Sequence, residues 1–226
     1  MKLVIKIGGH LLSTKSSILN LDYIKELVTV LNEVKKEHKI IVVTGGGLLS
    51  RFYIKVLRNA GKKEALCDLM GIETSRLNAL LLSLLLKGPA EIPRTVKEVL
   101  DYYCSRNLIV MGGLQPGQST TTTAAIVAEA VNADLLIIAT HVDGIYTSDP
   151  FKDPNARKID EITLEELKRL FMEREIEAGT YPLIDYLTIR ILERAKIRAV
   201  VINGKPPTNI IRAIRGESVG TRIKIK

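Results

Sequence analysis

Along the chain, short runs of β-branched and aliphatic residues alternate with longer stretches in which apolar positions recur every three or four residues. Leu3 to Ile7, Ile40 to Val43, Leu108 to Met111, Leu135 to Ala139 and Ala199 to Ile202 are apolar almost throughout. That is the pattern of strands covered on both faces. Each run ends at a glycine or a small polar residue. Between them, Asp22 to Lys36 places Ile24, Leu27, Val28, Leu31 and Val34 on one stripe, which predicts an amphipathic helix. Leu48 to Asn59 and Ala65 to Leu86 read in the same way, and Leu164 to Met172 and Asp185 to Lys196 predict further helices. Gly88-Pro89 and Ile92-Pro93 end the long helix, and Ser148 to Ala156, with Pro150 and Pro154, predicts a loop. Alternation of this kind predicts an α/β fold in which helices cover both faces of a central, mostly parallel sheet. No linker rich in Gly, Ser or Pro and no internal repeat divides the chain, so a single domain over residues 1–226, built on one continuous sheet, is expected.

Composition narrows the class. With 226 residues, 46% hydrophobic and 26% charged, the chain has the material for a packed core, which excludes disorder as its main state. The apolar run around Leu80 to Leu86 stops at Lys87, well short of the roughly 20 residues a membrane crossing needs. Met1-Lys2 passes at once into the first strand without the features of a signal peptide, so a cytoplasmic protein is expected. Cys67 and Cys104 stand far apart, as do His10, His38 and His141, so neither a disulfide framework nor a clustered metal site is predicted.

The formal net charge of +8 raises the question of nucleic acid. Arg190 to Lys226 holds ten basic and two acidic residues, leaving 33 − 10 = 23 basic and 25 − 2 = 23 acidic residues before it. The whole excess lies at one end. With 4% aromatic residues and no Trp, the chain lacks the stacking platform of a single-strand binder, and no nucleic-acid partner is expected.

Candidate chemistry lies where strands meet glycines. Three turns stand out: KIGGH at Lys6 to His10, TGGGLLSR at Thr44 to Arg51, and MGGLQPGQSTTTTAA at Met111 to Ala125. In parallel sheets ligands gather at the carboxyl ends of strands, where glycine lets backbone amides approach an anion and a helix N-terminus comes next. Lys6 and Arg51 add cations beside those amides. The spacing excludes a P-loop, a dinucleotide-binding glycine fingerprint and the protein-kinase signature set.

These turns, together with DLMGIETSRLNA (Asp68 to Ala79), GGLQPGQST (Gly112 to Thr120), ATHVDGIYTSDP (Ala139 to Pro150) and AGTYPLIDYLTIRI (Ala178 to Ile191), resemble the amino-acid-kinase fold family, and within it the archaeal uridylate kinases. The likeness runs in order over essentially the whole chain. It implies a three-layer αβα sandwich with an acceptor side over about residues 1–130 and a donor side over about 131–226, merged through one sheet. It implies transfer of the γ-phosphoryl of ATP to UMP, giving ADP and UDP, with Mg²⁺ carried by nucleotide phosphates rather than by a protein metal site. It further implies a homohexamer built as a trimer of dimers. Leu66 to Leu86, whose apolar residues exceed one stripe, is a candidate interface.

The same resemblance implies the site residues. Lys6, Arg51 and Asp143 are the catalytic candidates. Lys6, Gly8, Gly9, His10, Gly47, Arg51, Thr140, His141, Tyr146 and Asp149 fall on the ATP side. Gly46, Asp68, Leu114, Gln115, Pro116, Gly117, Gln118, Ser119 and Thr120 fall on the UMP side. Several of these also have plain structural readings. By type alone Lys6 is also a strand-end surface lysine, Asp68 a helix N-terminal acid, and Asp143 a turn residue before Gly144. Ser119 or Thr120 suits a helix N-cap, although capping alone does not explain five hydroxyls from Ser119 to Thr123. Two positions depart from the family pattern: Thr121 replaces an acidic residue found in many relatives, and His141 replaces an Asn. Within the same fold, kinases of an isoprenoid phosphate or a carboxylate are the alternative, and a non-catalytic nucleotide-binding regulator is another. Asp68 as a partner for ribose hydroxyls favours a nucleotide, and the presence of both Lys6 and Arg51 favours an enzyme.

Overall fold

The computed structural model describes residues 1–14, 16–172 and 184–225. Residues 178–183, the start of the AGTYPLIDYLTIRI motif, lie outside the described residues. The chain runs β1 (Lys2–Ile7), α1 (Leu21–Glu37), β2 (Lys39–Thr44), α2 (Gly47–Asn59), α3 (Glu64–Leu85), α4 (Val96–Ser105), β3 (Leu108–Met111), α5 (Thr120–Ala130) and β4 (Leu135–Thr140). It continues through β5 (Ile145–Tyr146), β6 (Lys158–Ile159), β7 (Glu161–Thr163), α6 (Leu164–Met172), α7 (Tyr186–Ala195), β8 (Ala199–Asn203), α8 (Asn209–Ile214) and β9 (Thr221–Lys224). The five apolar runs are β1, β2, β3, β4 and β8, within a residue or two at their ends.

Seven strands form one sheet in the order β3-β2-β1-β4-β8-β9-β7, parallel except where β9 runs against β8. The chain lays β2 and β3 on one side of β1, then returns to place β4 on the other. This reversal of direction opens a crevice beyond the carboxyl ends of β1 and β4, the place where open α/β sheets bind ligands.

Side-chain alternation along β1 builds the two cores. Leu3, Ile5 and Ile7 point into a layer shared with α1, α3 and α8, which contributes Leu27, Leu31, Leu82 and Ile210. Val4 points into the opposite layer with Ala124 and Val127 of α5, Leu167 of α6, and Ile189 and Leu192 of α7. Helices on both faces make the expected three-layer sandwich. Lys6, two residues after Val4, projects toward the α5 and α7 side by the same period of two.

Two differences from the expected plan have short-range causes. Ser148 to Ala156 is the loop expected, but it joins the strands of an additional two-stranded sheet, in which Ile145 and Tyr146 pair antiparallel with Ile159 and Lys158. Between the long helix and β3, the stretch after Pro93 forms α4. There Thr95 accepts from the Glu98 amide at 3.1 Å while Glu98 reaches back to the Arg94 amide at 2.6 Å. This reciprocal cap offsets the unpaired amides of a ten-residue helix.

Candidate active site

The first two glycine turns are packed against each other. A Cβ on Gly9 would sit 2.2 Å from the Gly47 nitrogen, and one on Gly45 would sit 2.6 Å from the Gly9 nitrogen. Gly47 has φ of +70°, so it meets both a steric and a conformational demand for glycine. The Gly45 amide donates to the Ile7 carbonyl at 3.0 Å, and the Gly8 amide to the Ala139 carbonyl at 2.9 Å. These two bonds extend the pairing of β1 with β2 and with β4 past the strand ends. The close approach that the glycines permit is first of all between the turns themselves.

Beyond this contact α2 begins, with Gly46 as its N-cap and no side-chain cap on the opening amides. Ser13 Oγ takes the Leu48 amide at 3.2 Å. Asn78, on α3, donates its side-chain amide to the Gly45 carbonyl at 2.8 Å and so holds the turn from behind.

Lys6 is 8% exposed, at the carboxyl end of β1. Burial pulls its ammonium down to about 8, and the charge of Asp185 acts in the opposite direction. Among the described residues Lys6 has neither a hydrogen bond nor an ion pair for its side chain. Among the described residues Asp185 is the carboxylate whose charge acts on this buried cation, and it does so without a direct ion pair, so the ammonium keeps its hydrogen-bonding capacity for a further anion.

Asp185 is the residue the sequence did not single out. As N-cap of α7 it accepts the Thr188 amide at 2.7 Å. It also accepts from Ser119 Oγ, and from Thr122 Oγ1 at 2.7 and 2.8 Å. One carboxylate therefore ties the N-terminus of α5 to that of α7, beside Lys6. The run of hydroxyls is thereby divided. Ser119 caps α5 and, with Thr122, serves Asp185, while Thr121 and Thr123 are buried in the helix and Thr120 is half-buried.

The third turn is fastened to α3. Ser75 Oγ accepts the Gly113 amide at 2.7 Å, and the Arg76 guanidinium donates to the carbonyls of Gly113 and Leu114 at 3.1 Å each. The Gly117 amide donates to Asp68 Oδ2 at 2.8 Å. Asp68 is thus brought to the 114–120 loop, as one site requires. Its helical neighbours supply the anchors, so Arg76 and Asn78 are working parts whose roles no local pattern revealed. Gln115, Pro116 and Gly117 are exposed, Leu114 packs on the core, and Gln118 carries a buried side-chain oxygen without a hydrogen-bond partner among the described residues.

On the other side of Lys6, His10 and His141 meet edge to face, with ring centroids 4.4 Å apart and Nε2 to Nδ1 at 3.1 Å. Thr140 Oγ1 lies 3.5 and 3.4 Å from the same two nitrogens. Burial, followed by the charges of Lys6, His141, Arg51 and Lys205, holds His10 down at about 3. Burial, then Lys6 and Arg51, lowers His141 as well, opposed by Asp149. Both rings are neutral near pH 7, so each pairs as one donor and one acceptor. Arg51 is exposed in the second turn of α2, and its charge reaches both imidazoles, which places it over the same strand ends.

Tyr146 is half-buried on β5. Asp149 accepts the Phe151 amide at 2.9 Å, and Phe151 stacks on His141 at 5.4 Å. Asp143 is exposed, and its Oδ1 accepts from Asn203 Nδ2 at 2.8 Å. Among the described residues no group of three or more His, Cys, Asp or Glu side chains is arranged to hold a metal ion.

The site therefore offers a buried ammonium without a hydrogen bond or ion pair among the described residues, a helix N-terminus at which Ser13 takes the Leu48 amide, and two loops anchored on one helix. A model of the amino acid kinase family matches residues 1–203. The chain belongs to the amino acid kinase family. Among relatives of this kinase, the uridylate kinase of Methanococcoides burtonii is 41% identical over 225 residues, covering 98% of this chain and 94% of its own. That of Thermofilum pendens is 44% identical over 226 residues, covering 98% and 97%. The crystal structure of uridylate kinase from Archaeoglobus fulgidus superposes with a TM-score of 0.88 at 38% identity, covering 99% of this chain and all of that one.

Proposed function

We propose that this amino acid kinase transfers the γ-phosphoryl group of ATP to UMP, giving ADP and UDP, a step of pyrimidine nucleotide biosynthesis. The observation that carries the reading is the buried ammonium of Lys6, unpaired among the described residues, at the switch point of the sheet, flanked by the paired glycine turns of β1 and β2. Uridylate kinases at 41% and 44% identity over nearly full length supply the acceptor.

The acceptor phosphate of a nucleoside monophosphate is already anionic near pH 7, so the reaction needs no strong general base. It needs two polyanions held in line and the charge between them neutralised. Lys6 is placed to span donor and acceptor phosphates, and its depressed proton affinity is restored once phosphate oxygens surround it. Gly46 and the 114–120 loop belong to the acceptor side with Asp68. Gly8, Gly9, His10, Gly47, Arg51, Thr140, His141, Tyr146 and Asp149 belong to the donor side. We read residues to about 130 as the acceptor half and the remainder as the donor half.

Mg²⁺ fits this donor set as an ion held mainly by nucleotide phosphates. Asp143 offers an exposed carboxylate with one oxygen taken by Asn203, the kind of single hard ligand such ions accept. When bound, the ion neutralises phosphate charge. His10 and His141, neutral and mutually hydrogen-bonded, suit a base or ribose contact better than a phosphate contact.

A homohexamer and a cytoplasmic location complete the reading. Support for assembly is the apolar surface of α2 and α3, where Phe52, Val56, Leu69 and Leu77 are each about half exposed or more. Among the described residues no helix is long and apolar enough to cross a membrane.

The deciding experiment is a coupled ADP-release assay across nucleoside monophosphates, with Lys6→Ala alongside. Transfer to UMP in preference to other acceptors, lost in the variant, is the expected result. Absence of transfer to UMP, or an unimpaired Lys6→Ala, overturns it.

A further inference from the structure

A fourth strand end borders the same crevice. β8 lies beside β4 with Thr140 opposite Asn203, and the Gly204 amide donates to the Thr140 carbonyl at 2.7 Å. The chain therefore leaves β8 next to Thr140 and His141. One side chain, Asn203, holds the turn beyond the strand. Its Oδ1 accepts the Lys205 amide at 2.9 Å, its Nδ2 donates to Asp143 at 2.8 Å, and the Asn203 carbonyl accepts from Asn209 Nδ2 at 3.0 Å. The position of Asp143 and the direction of the Lys205 turn are thus set together.

Lys205 is exposed and carries its ammonium 5.9 Å from the centroid of the Tyr23 ring. Among the described residues it has no carboxylate partner. Its charge bears on His10 together with those of Lys6 and Arg51. Three cations converging on one neutral imidazole repel one another, and a polyanion between them relieves that repulsion.

We infer that Lys205 is a further phosphate-binding residue, which engages the polyphosphate of the donor nucleotide from the β8 side and is positioned by Asn203. This rests on the reading of ATP as donor. It goes beyond it by assigning a residue outside the glycine turns and the β4 loop, and by giving Asn203 a task common to Asp143 and Lys205. A lysine on a solvated rim, with no task, is the competing description.

The test compares Lys205→Met, which keeps the aliphatic stem and loses the charge, with Lys205→Arg. Calorimetric titration of the full chain with ADP and with adenosine separates phosphate from base contacts. Steady-state kinetics separates the two substrates. Lys205→Met should weaken ADP and raise the KM for ATP about tenfold, the scale of one charge-assisted hydrogen bond. Adenosine affinity and the KM for UMP should be unchanged, and Lys205→Arg should recover most of the loss. ADP affinity within twofold of the parent overturns the inference, as does an equal loss for ADP and adenosine, which marks a purely structural role. The parent protein decides the underlying reading separately. Binding of ADP without transfer to UMP removes the acceptor and leaves Lys205 tested, whereas no binding of ADP or ATP removes the donor itself.

Discussion

Asp185 receives both the Thr122 hydroxyl, at 2.7 and 2.8 Å, and the charge of Lys6, which it helps to keep protonated against burial. Asp185→Asn keeps a capping oxygen for the Thr188 amide and removes the charge. Lys6 then loses its proton at lower pH. In the parent, kcat/KM should fall as pH rises through about 8, because Lys6 titrates there in the free enzyme. In Asp185→Asn that limb should move below 8, and in Lys6→Arg it should vanish from the range. A pH profile with no limb near 8 in the parent, or the same limb in both variants, contradicts the coupling.

Arg76 binds no substrate in this reading, yet its guanidinium fixes two consecutive carbonyls of the acceptor loop. Lys has one point charge in place of the planar fork and cannot make both bonds in that geometry. Arg76→Lys should therefore raise the KM for UMP by about tenfold, roughly 1.4 kcal/mol, while the KM for ATP stays within twofold. Equal effects on both substrates mean that the loop is held by other means.

How far the site could be read from the chain depends on the range of the interactions. The five apolar strands and the glycine turns are local matters of pattern and period, and both were legible. Asp68 stood out through the family resemblance, and the structure brings it to Gly117. The burial of Lys6 was not legible, because a strand-end lysine reads by type as a surface residue. Arg76, Asn78 and Asp185 were not legible, because their partners Leu114, Gly45 and Thr122 are joined only when helices and loops pack on the sheet. β7 and β9 also escaped notice. They are three and four residues long and find each other across a long stretch of sequence, so neither carries a usable period. The T-V-K-E cap of α4, by contrast, was a readable signal that periodicity alone passes over.

His10 makes acid stability a test of the imidazole pair. Its folded-state proton affinity lies far below the ordinary value of 6.5, at about 3. Between those limits the unfolded chain binds a proton that the folded one refuses. Stability is thus fully present above pH 6.5 and is lost as pH falls toward 3, by about 1.4 kcal/mol per unit from this group. His10→Asn should flatten the dependence of the denaturant midpoint on pH across that window. An unchanged slope rules out His10 as its source.

The contact between the first two glycine turns predicts a large asymmetry among glycine substitutions. Gly9→Ala puts a methyl group 2.2 Å from the Gly47 nitrogen, and backbone cannot move aside there without separating β1 from α2. Gly71→Ala meets only Ile54 Cδ1 and Ser50 Oγ at 3.4 Å and lies within α3, where alanine is the better helix former. Gly9→Ala should cost about 3 kcal/mol or more and abolish turnover, whereas Gly71→Ala should change stability by less than about 1 kcal/mol. Urea unfolding of the two variants decides it, and similar midpoints mean that the turns are not in the intimate contact described.

The proposed assembly through α2 and α3 can be tested apart from catalysis. In α2 only Ser50 is buried, while Phe52 and Val56 lie 55% and 66% exposed on the same face four residues apart. A helix with so little buried within its own chain gains little stability from packing there, and a second copy covering that face would supply the missing burial. Each such side chain contributes about 1.5–3 kcal/mol when fully buried. Val56→Glu puts a charge in the middle of the face, which an apolar interface rejects. The variant should run as a smaller species in sedimentation and melt at lower temperature, with Lys6 and the glycine turns untouched. Sedimentation of Val56→Glu identical to that of the parent places the interface elsewhere.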